Sequence, residues 1–429
     1  EPMTDEQIAA SDRELALTEE YNALLEELDG LTYEYLGEQW TFPKLDGYQG
    51  DLLWRSDYDG YIEVYYGLHR AINDLIAPIY IELAQIWAQR AADEGYDNYA
   101  DYAYEVEYGR EYGPAEAQAF CDAVKPIARE YFGDLYYSSL YDEAYSVGGD
   151  MDAEALLKTV EALLPRIDES LLEPWYSMIE RGVYDFAPAG AGRYDGSWTT
   201  ELSYYGTPFV FITGEGYCID LITLTHEFGH FADMYFHPVP DVLTSTVDLD
   251  LEEIHSNGLQ ALFTSFYSEI FGSGAQAAAF FNLMYLMENV IDGCMLDEFQ
   301  RRTVAEADTL TPERINEIYL DLCLEYGLFD TDDVPEYYAG WAEINHLFES
   351  PMYYISYAAS GFAALQIWDM AQADFDAAVD TWMSVLGEGG YGDGYFTVLE
   401  RCGLRAFDSE GAVSGVLQPV MDALEEMGR

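Results

Sequence analysis

His226-Glu227-Phe228-Gly229-His230 sets two imidazoles four residues apart, with a carboxylate next to the first. On an α-helix, residues four apart share a face, so both imidazoles can reach one metal ion while Glu227 leans over the same point from the adjacent position. Two histidine nitrogens, one further ligand and an open position make the donor set of a hydrolytic Zn²⁺ site. The neighbouring carboxylate is suited to take a proton from a water that such an ion activates. In a chain of 429 residues with six histidines, composition alone would produce H-E-x-x-H in about 1% of cases. The plainer alternative is a pair of histidines that fall at i and i+4 and bind nothing.

A third ligand must come from elsewhere. The layout with a further His six residues after the second fails, because Phe236 stands there; His237 is one residue too far and precedes Pro238, which marks a helix end. The other layout takes a Glu from a second helix. Glu253 follows His230 by 23 residues, and Glu253, Ser256, Asn257 and Gln260 fall at i, i+3, i+4 and i+7. These form one polar face, while Leu259, Leu262, Phe263 and Phe266 continue an apolar one. Helical geometry favours Glu253 as the third ligand; Glu252 and His255 are rivals whose side chains point away from this face. Asp233, Ser256 and Asn257 are placed to hydrogen-bond the ligands, or are ordinary polar helix residues.

The elements that must hold these groups are legible in outline. Leu224, Phe228, Phe231 and Tyr235 form an apolar stripe and His226, His230 and Asp233 a polar one, which predicts a helix with separate packing and metal faces. Upstream, residues 193–204 and 208–213 read as extended runs around Tyr205-Gly206-Thr207, rich in Thr, Trp, Tyr, Val and Phe, which predicts a β-hairpin. Its edge could bind an extended peptide through main-chain hydrogen bonds or merely support the helix.

Three blocks in this order resemble the zinc oligopeptidase family of oligoendopeptidase F and thimet oligopeptidase. The first is Pro208-Phe209-Val210-Phe211, leading through Asp220 and Leu224-Thr225 into the His226 to His230 motif. The second is Glu253-Ile254-His255-Ser256, similar to the family's third-ligand segment, and the last is Pro351 to Ala358, preceded by His346. A weaker similarity over residues 95–103 and 108–112 extends the resemblance to roughly residues 60 to 400.

The resemblance implies a mainly α, two-lobed zincin (neurolysin-like) metallopeptidase of the gluzincin type, with a deep channel and a small β-sheet next to the active-site helix. It implies one Zn²⁺ per chain held by His226, His230 and Glu253, Glu227 as general base, and Tyr357 and His346 as transition-state stabilisers. Tyr354 and Tyr353 would contact substrate. Read without the resemblance, the Tyr353, Tyr354 and Tyr357 cluster is helix packing in a chain with 38 tyrosines. The implied activity is endopeptidase cleavage of short, unfolded oligopeptides. The chain departs from the family in its shorter N-terminal side, in Asp233 where a further His is common, and in Gly258 and Gln260 on the third-ligand helix.

Composition sets the remaining bounds. Half the residues are hydrophobic and no Pro- or Ser-rich linker or repeat interrupts the chain. A single peptidase unit over 1–429 is expected, with a mostly helical N-terminal lobe at 1–185 and a catalytic lobe at 186–429. The net charge of −63 argues against nucleic acid or an anionic membrane as partner, since both are polyanions. Oligopeptides are the expected partners, and a monomer is expected. The uncharged runs 270–287 and 350–368 are long enough to span a membrane but carry Gly, Ser and Gln, so buried helices are expected instead.

Five widely spaced cysteines without a C-x-x-C pair predict small buried hydrophobes in place of disulfides or a thiolate metal site. The chain begins at Glu1, so a preceding segment is expected. A bacterial secreted or surface-tethered location is favoured, with a cytoplasmic one as the alternative. Two other activities fit the same motifs. A metallocarboxypeptidase or dipeptidyl carboxypeptidase would need a cation for the substrate carboxylate, with Arg301, Arg302, Arg314, Arg401 and Arg405 as candidates; a peptide-binding protein would have no chemical need for Glu227.

Overall fold

In a computed structural model of the chain, all residues are described except 1–3, 48–57, 137, 195, 239–247, 332–333 and 390–391. Among the described residues the fold is mainly helical with two small sheets. The chain forms two compact units, each assembled from separated stretches: residues 1–107 with 295–354, and residues 108–294 with 355–429.

The first unit contains helices α1 (Asp5–Leu25) and α2 (Tyr58–Asp93) and a hairpin of β1 (Tyr33–Tyr35) and β2 (Glu38–Trp40). Helix α1 starts where Thr4 and Gln7 exchange side-chain to backbone hydrogen bonds, a reciprocal cap that satisfies two otherwise orphaned donors. Its core is aromatic. Tyr21 stacks on Phe348 at 3.7 Å between ring centres, and Tyr80 packs edge-on against Trp341 at 5.4 Å.

The second unit carries the H-E-x-x-H motif. Helices α3 (Pro114–Glu130), α4 (Ala153–Leu163) and α5 (Leu172–Arg181) lead into a three-stranded sheet. Helix α5 ends at Gly182, whose φ of 62° turns the chain in the left-handed region that glycine enters without strain. The strands are β3 (Tyr184–Pro188), β4 (Trp198–Leu202) and β5 (Thr207–Gly214), in the order β3-β5-β4. Strands β4 and β5 form the expected antiparallel hairpin, and β3 adds a parallel partner, pairing Tyr184 with Val210. Strand β5 is central and buried along most of its length, in keeping with its run of aromatic and β-branched residues.

From β5 the chain turns directly into α6 (Ile219–Phe236). The buried Asp220 locks that turn, its carboxylate accepting the backbone N–H groups of Glu215 at 2.7 Å and Gly216 at 3.0 Å. Next come α7 (Leu249–Phe263) and α8 (Ala275–Ala305), the latter continuing into the first unit past Cys294. After α9 (Pro312–Tyr326) in the first unit, the second is completed by α10 (Ile355–Ala373), α11 (Phe375–Glu388) and α12 (Glu410–Gly428). Helix α7 packs along both α6 and α10 and is buried on nearly every side, so its polar residues must satisfy one another inside the protein.

Among the described residues, one helical run, Leu249–Ala305, has the length and composition to cross a membrane, and half of its apolar window is buried inside the fold. Among the described residues no disulfide links the five cysteines; Cys121, Cys218, Cys294 and Cys323 are buried and Cys402 is partly so.

Candidate metal centre

Helices α6 and α7 bring three ligand candidates to one point. Nε2 of His226 and Nε2 of His230 each lie 3.4 Å from Oε2 of Glu253, and the donor atoms of all three fall within 4.8 Å of one another. Two ligands of a tetrahedral ion with zinc-like bond lengths stand about 3.4 Å apart, so the observed separations suit a zinc-sized ion.

Their supports come from the same buried face. His226 shares a 3.1 Å hydrogen bond between Nδ1 and Oε1 of Gln260. A proton on Nδ1 donates there and leaves Nε2 as the donor atom for a metal. Gln260 is itself held by a 2.5 Å hydrogen bond from its amide nitrogen to Asn282 Oδ1. Ser256 places its hydroxyl 3.0 Å from Glu253 Oε2. Asn257 is fully buried, and its side chain makes no hydrogen bond to a described residue. The i+7 spacing from Glu253 puts Gln260 on the polar face, but its pairing with His226 arises only from the packing of α7 on α6.

Glu227 is buried, and Oε2 accepts a 2.7 Å hydrogen bond from the Thr199 hydroxyl. Thr199 sits on β4, at one edge of the sheet. Its contact joins residues 28 apart, and nothing in the local pattern of either segment announces it.

The electrostatics follow from the crowding. Burial by itself would lower the His230 pKa, yet the charge of Glu253 outweighs it and raises the value from 6.5 to about 9. Burial would raise the Glu253 carboxyl, but His230 and His226 bring it from 4.5 down to about 2. Asp233 pairs with imidazoles outside this ligand set. It accepts a 3.0 Å hydrogen bond from His237 and lies 3.4 Å from Nδ1 of His255. Burial disfavours its charge, but those imidazoles hold its carboxyl well below the ordinary range.

The remaining candidates are distributed over both compact units. His346 stacks on Tyr353 at 5.3 Å between ring centres and meets the edge of Tyr354 at 5.7 Å, all within the first unit. Tyr357 is on α10 in the second unit. Four of the arginine candidates are engaged by nearby acids: Arg301 by Asp297, Arg302 by Glu298 and Glu325, Arg314 by Glu306 and Glu317, and Arg401 by Glu388 and Asp393. Arg405 bonds through its backbone N–H to Gln366.

No protein-family model matches the chain. Oligopeptidase PepF of Bacillus subtilis (strain 168) is 23% identical over 319 residues, covering 68% of this chain and 44% of that protein. The matched chain therefore spans less than half the length of that curated relative. Among solved structures, PZ peptidase A with an inhibitor superimposes with a TM-score of 0.78 at 22% identity, over 99% of this chain and 78% of the other. Oligoendopeptidase-F from Enterococcus faecium gives 0.59 at 17% identity, over 96% and 71%. At these identities the structural likeness establishes the shared fold.

Proposed function

We propose, from the chain's similarity to oligopeptidase PepF and to the fold of the oligoendopeptidase F structures, that it is a zinc-dependent endopeptidase that cleaves internal bonds of short, unfolded oligopeptides. The observation that carries this reading is the convergence of His226, His230 and Glu253 on one point, with Glu227 held beside His226 in the motif by Thr199. A zinc ion bound there would supply Lewis-acid polarisation of a water and of the scissile carbonyl.

The chain's own residues do the rest. Glu227 takes the proton of the attacking water and passes it to the leaving amine. With its Oε2 tied to Thr199, it is held in one orientation, so less ordering is needed at the moment of transfer. Gln260 fixes the tautomer of His226, and Ser256 braces Glu253. Tyr357 and His346 are assigned to the developing oxyanion and Tyr354 and Tyr353 to substrate, on the family resemblance.

A mixture of short peptides incubated with the zinc-loaded protein and with its Glu227→Gln variant, read by mass spectrometry, tests the proposal. Internal cuts made only by the unaltered protein are expected. Products limited to single residues or dipeptides from the C-terminus would replace the endopeptidase with a carboxypeptidase, and peptide binding without cleavage would leave a binding protein. Tyr357→Phe should lower the turnover rate by about 2 to 4 kcal/mol of barrier if it donates to the oxyanion; a change in apparent substrate affinity alone would move it to substrate binding.

A further inference from the structure

We propose a second divalent-metal site, formed by Asp233, Glu252 and His255. One donor atom from each of these residues lies within 4.8 Å of the other two. Glu252 and His255 fall at i and i+3 on α7, the Glu-x-x-His spacing that lets two side chains on one helical face share an ion. Asp233 reaches them from α6. Asp233 and His255 are buried, with the His255 ring wholly so.

One observation points to a ligand, and a second agrees with it. First, neither ring nitrogen of His255 is in hydrogen-bonding geometry with any described residue, although Nδ1 is only 3.4 Å from Asp233 Oδ1. A buried imidazole without an in-line partner is costly. Side-by-side donor atoms at that distance match the separation expected for two ligands of one tetrahedral ion, about 3.4 Å, and equal the His226–Glu253 and His230–Glu253 separations at the first centre. Second, Asp233 has an outer support of the kind metal-binding carboxylates carry: His237 Nδ1 bonds its Oδ1 at 3.0 Å.

A divalent ion there would take over from the neighbouring imidazoles the compensation of Asp233 and Glu252, two carboxylates in one interior pocket, with His255 as a neutral nitrogen ligand. The donor set of one imidazole and two carboxylates selects a zinc-class ion over calcium, which prefers oxygen alone. Its role is structural. It would pin α7, which carries Glu253, to α6, which carries both histidines of the first centre.

The test uses the full chain, stripped with a chelator, reloaded with Zn²⁺ and passed over a desalting column with a weak competing chelator, because a chain of net charge −63 attracts loosely held cations. Bound zinc is then counted by plasma mass spectrometry. Two equivalents are expected in the unaltered protein and one in each of Glu253→Ala, Asp233→Asn and Glu252→Gln. One equivalent, lost in Glu253→Ala and kept in Asp233→Asn and Glu252→Gln, overturns the second site and leaves the proposed peptidase centre standing. One equivalent with the reverse pattern upholds the second site and removes the first. Asp233→Asn and Glu252→Gln keep side-chain shape, and circular dichroism checks that each variant folds; His255→Phe, if folded, should also hold one equivalent.

Discussion

A Cβ added to Gly229 would lie 2.6 Å from the Cα of Ser256, and equally 2.6 Å from the carbonyl oxygen of His255. Gly229 is the fourth residue of the H-E-x-x-H motif, and Ser256 lies one helical turn beyond Glu253. The absence of a side chain on α6 is therefore what lets α7 come close enough for Glu253 to meet two imidazoles.

Gly229→Ala should move the two helices apart. The clash is with backbone, which cannot rotate away, so a cost of about 1–3 kcal/mol is expected, more than the roughly 1 kcal/mol that Ala gains over Gly in a helix interior. The matched control is Gly411→Ala, where an added Cβ meets nothing within 4 Å. Chemical denaturation should show loss of stability in the first variant and none in the second, and zinc affinity should fall only in the first. Equal behaviour of the two would remove the packing argument.

Thr199→Val deletes the hydroxyl that holds Glu227 while keeping a β-branched shape on β4. Loss of one hydrogen bond to a charged group, on the order of 1.5 kcal/mol, predicts a fall in kcat of about tenfold with little change in KM. Thr199→Ser should keep most of the rate. If Thr199→Val turns over peptides at the unaltered rate, Thr199 does not orient the base.

Zinc uptake should depend on pH in a direction set by His230. In the metal-free protein its pKa is raised from 6.5 to about 9, so below that pH an entering ion must displace a proton. Apparent affinity, followed by competition with a chromophoric chelator, should rise by about tenfold per pH unit toward pH 9 and then level off. Metal-free stability runs the other way. The raised His230 contributes fully below pH 6.5 and is lost as pH rises through about 9; the depressed Glu253, moved from 4.5 to about 2, contributes above pH 4.5 and is lost as pH falls through about 2. The rise in melting temperature caused by zinc should therefore grow between pH 6.5 and 9. A rise that is flat over this interval would show that His230 is already neutral in the metal-free protein.

Arg110 and Asp250 form a 3.3 Å ion pair with both side chains 2% exposed. Tyr112 and Ser356 also donate to the Asp250 carboxylate, at 2.7 Å and 2.5 Å. Asp250 is one turn before Glu253 on α7, and Ser356 precedes Tyr357 on α10, so the network fixes the two helices to each other. Arg110→Met should cost about 3–5 kcal/mol, because it strands a buried carboxylate, whereas the double variant Arg110→Met with Asp250→Leu should recover much of that loss. Denaturant titration of both variants decides; additive losses would mean that the pair is not coupled.

The sequence by itself determined what is local and periodic. The i, i+4 histidines, the polar face running from Glu253 to Gln260 and the apolar stripes of α6 and α7 follow from helical repeat, which each segment carries alone. The β4–β5 hairpin was legible for the same reason. Strand β3 was not, because five residues ending in proline carry too short an alternation to be told from a loop.

Only the tertiary structure decided which polar face meets which. Thr199 with Glu227, Gln260 with His226 and Asn282, Arg110 with Asp250, and Asp233 with His255 join residues from separate elements. Periodicity says that a face is polar or apolar, but the partner is chosen by packing between distant segments, which leaves no local trace. The division into two units, each built from two separated stretches, was hidden for the same reason: one crossing between the units runs through helix α8, which continues unbroken past Gly293 beside the change.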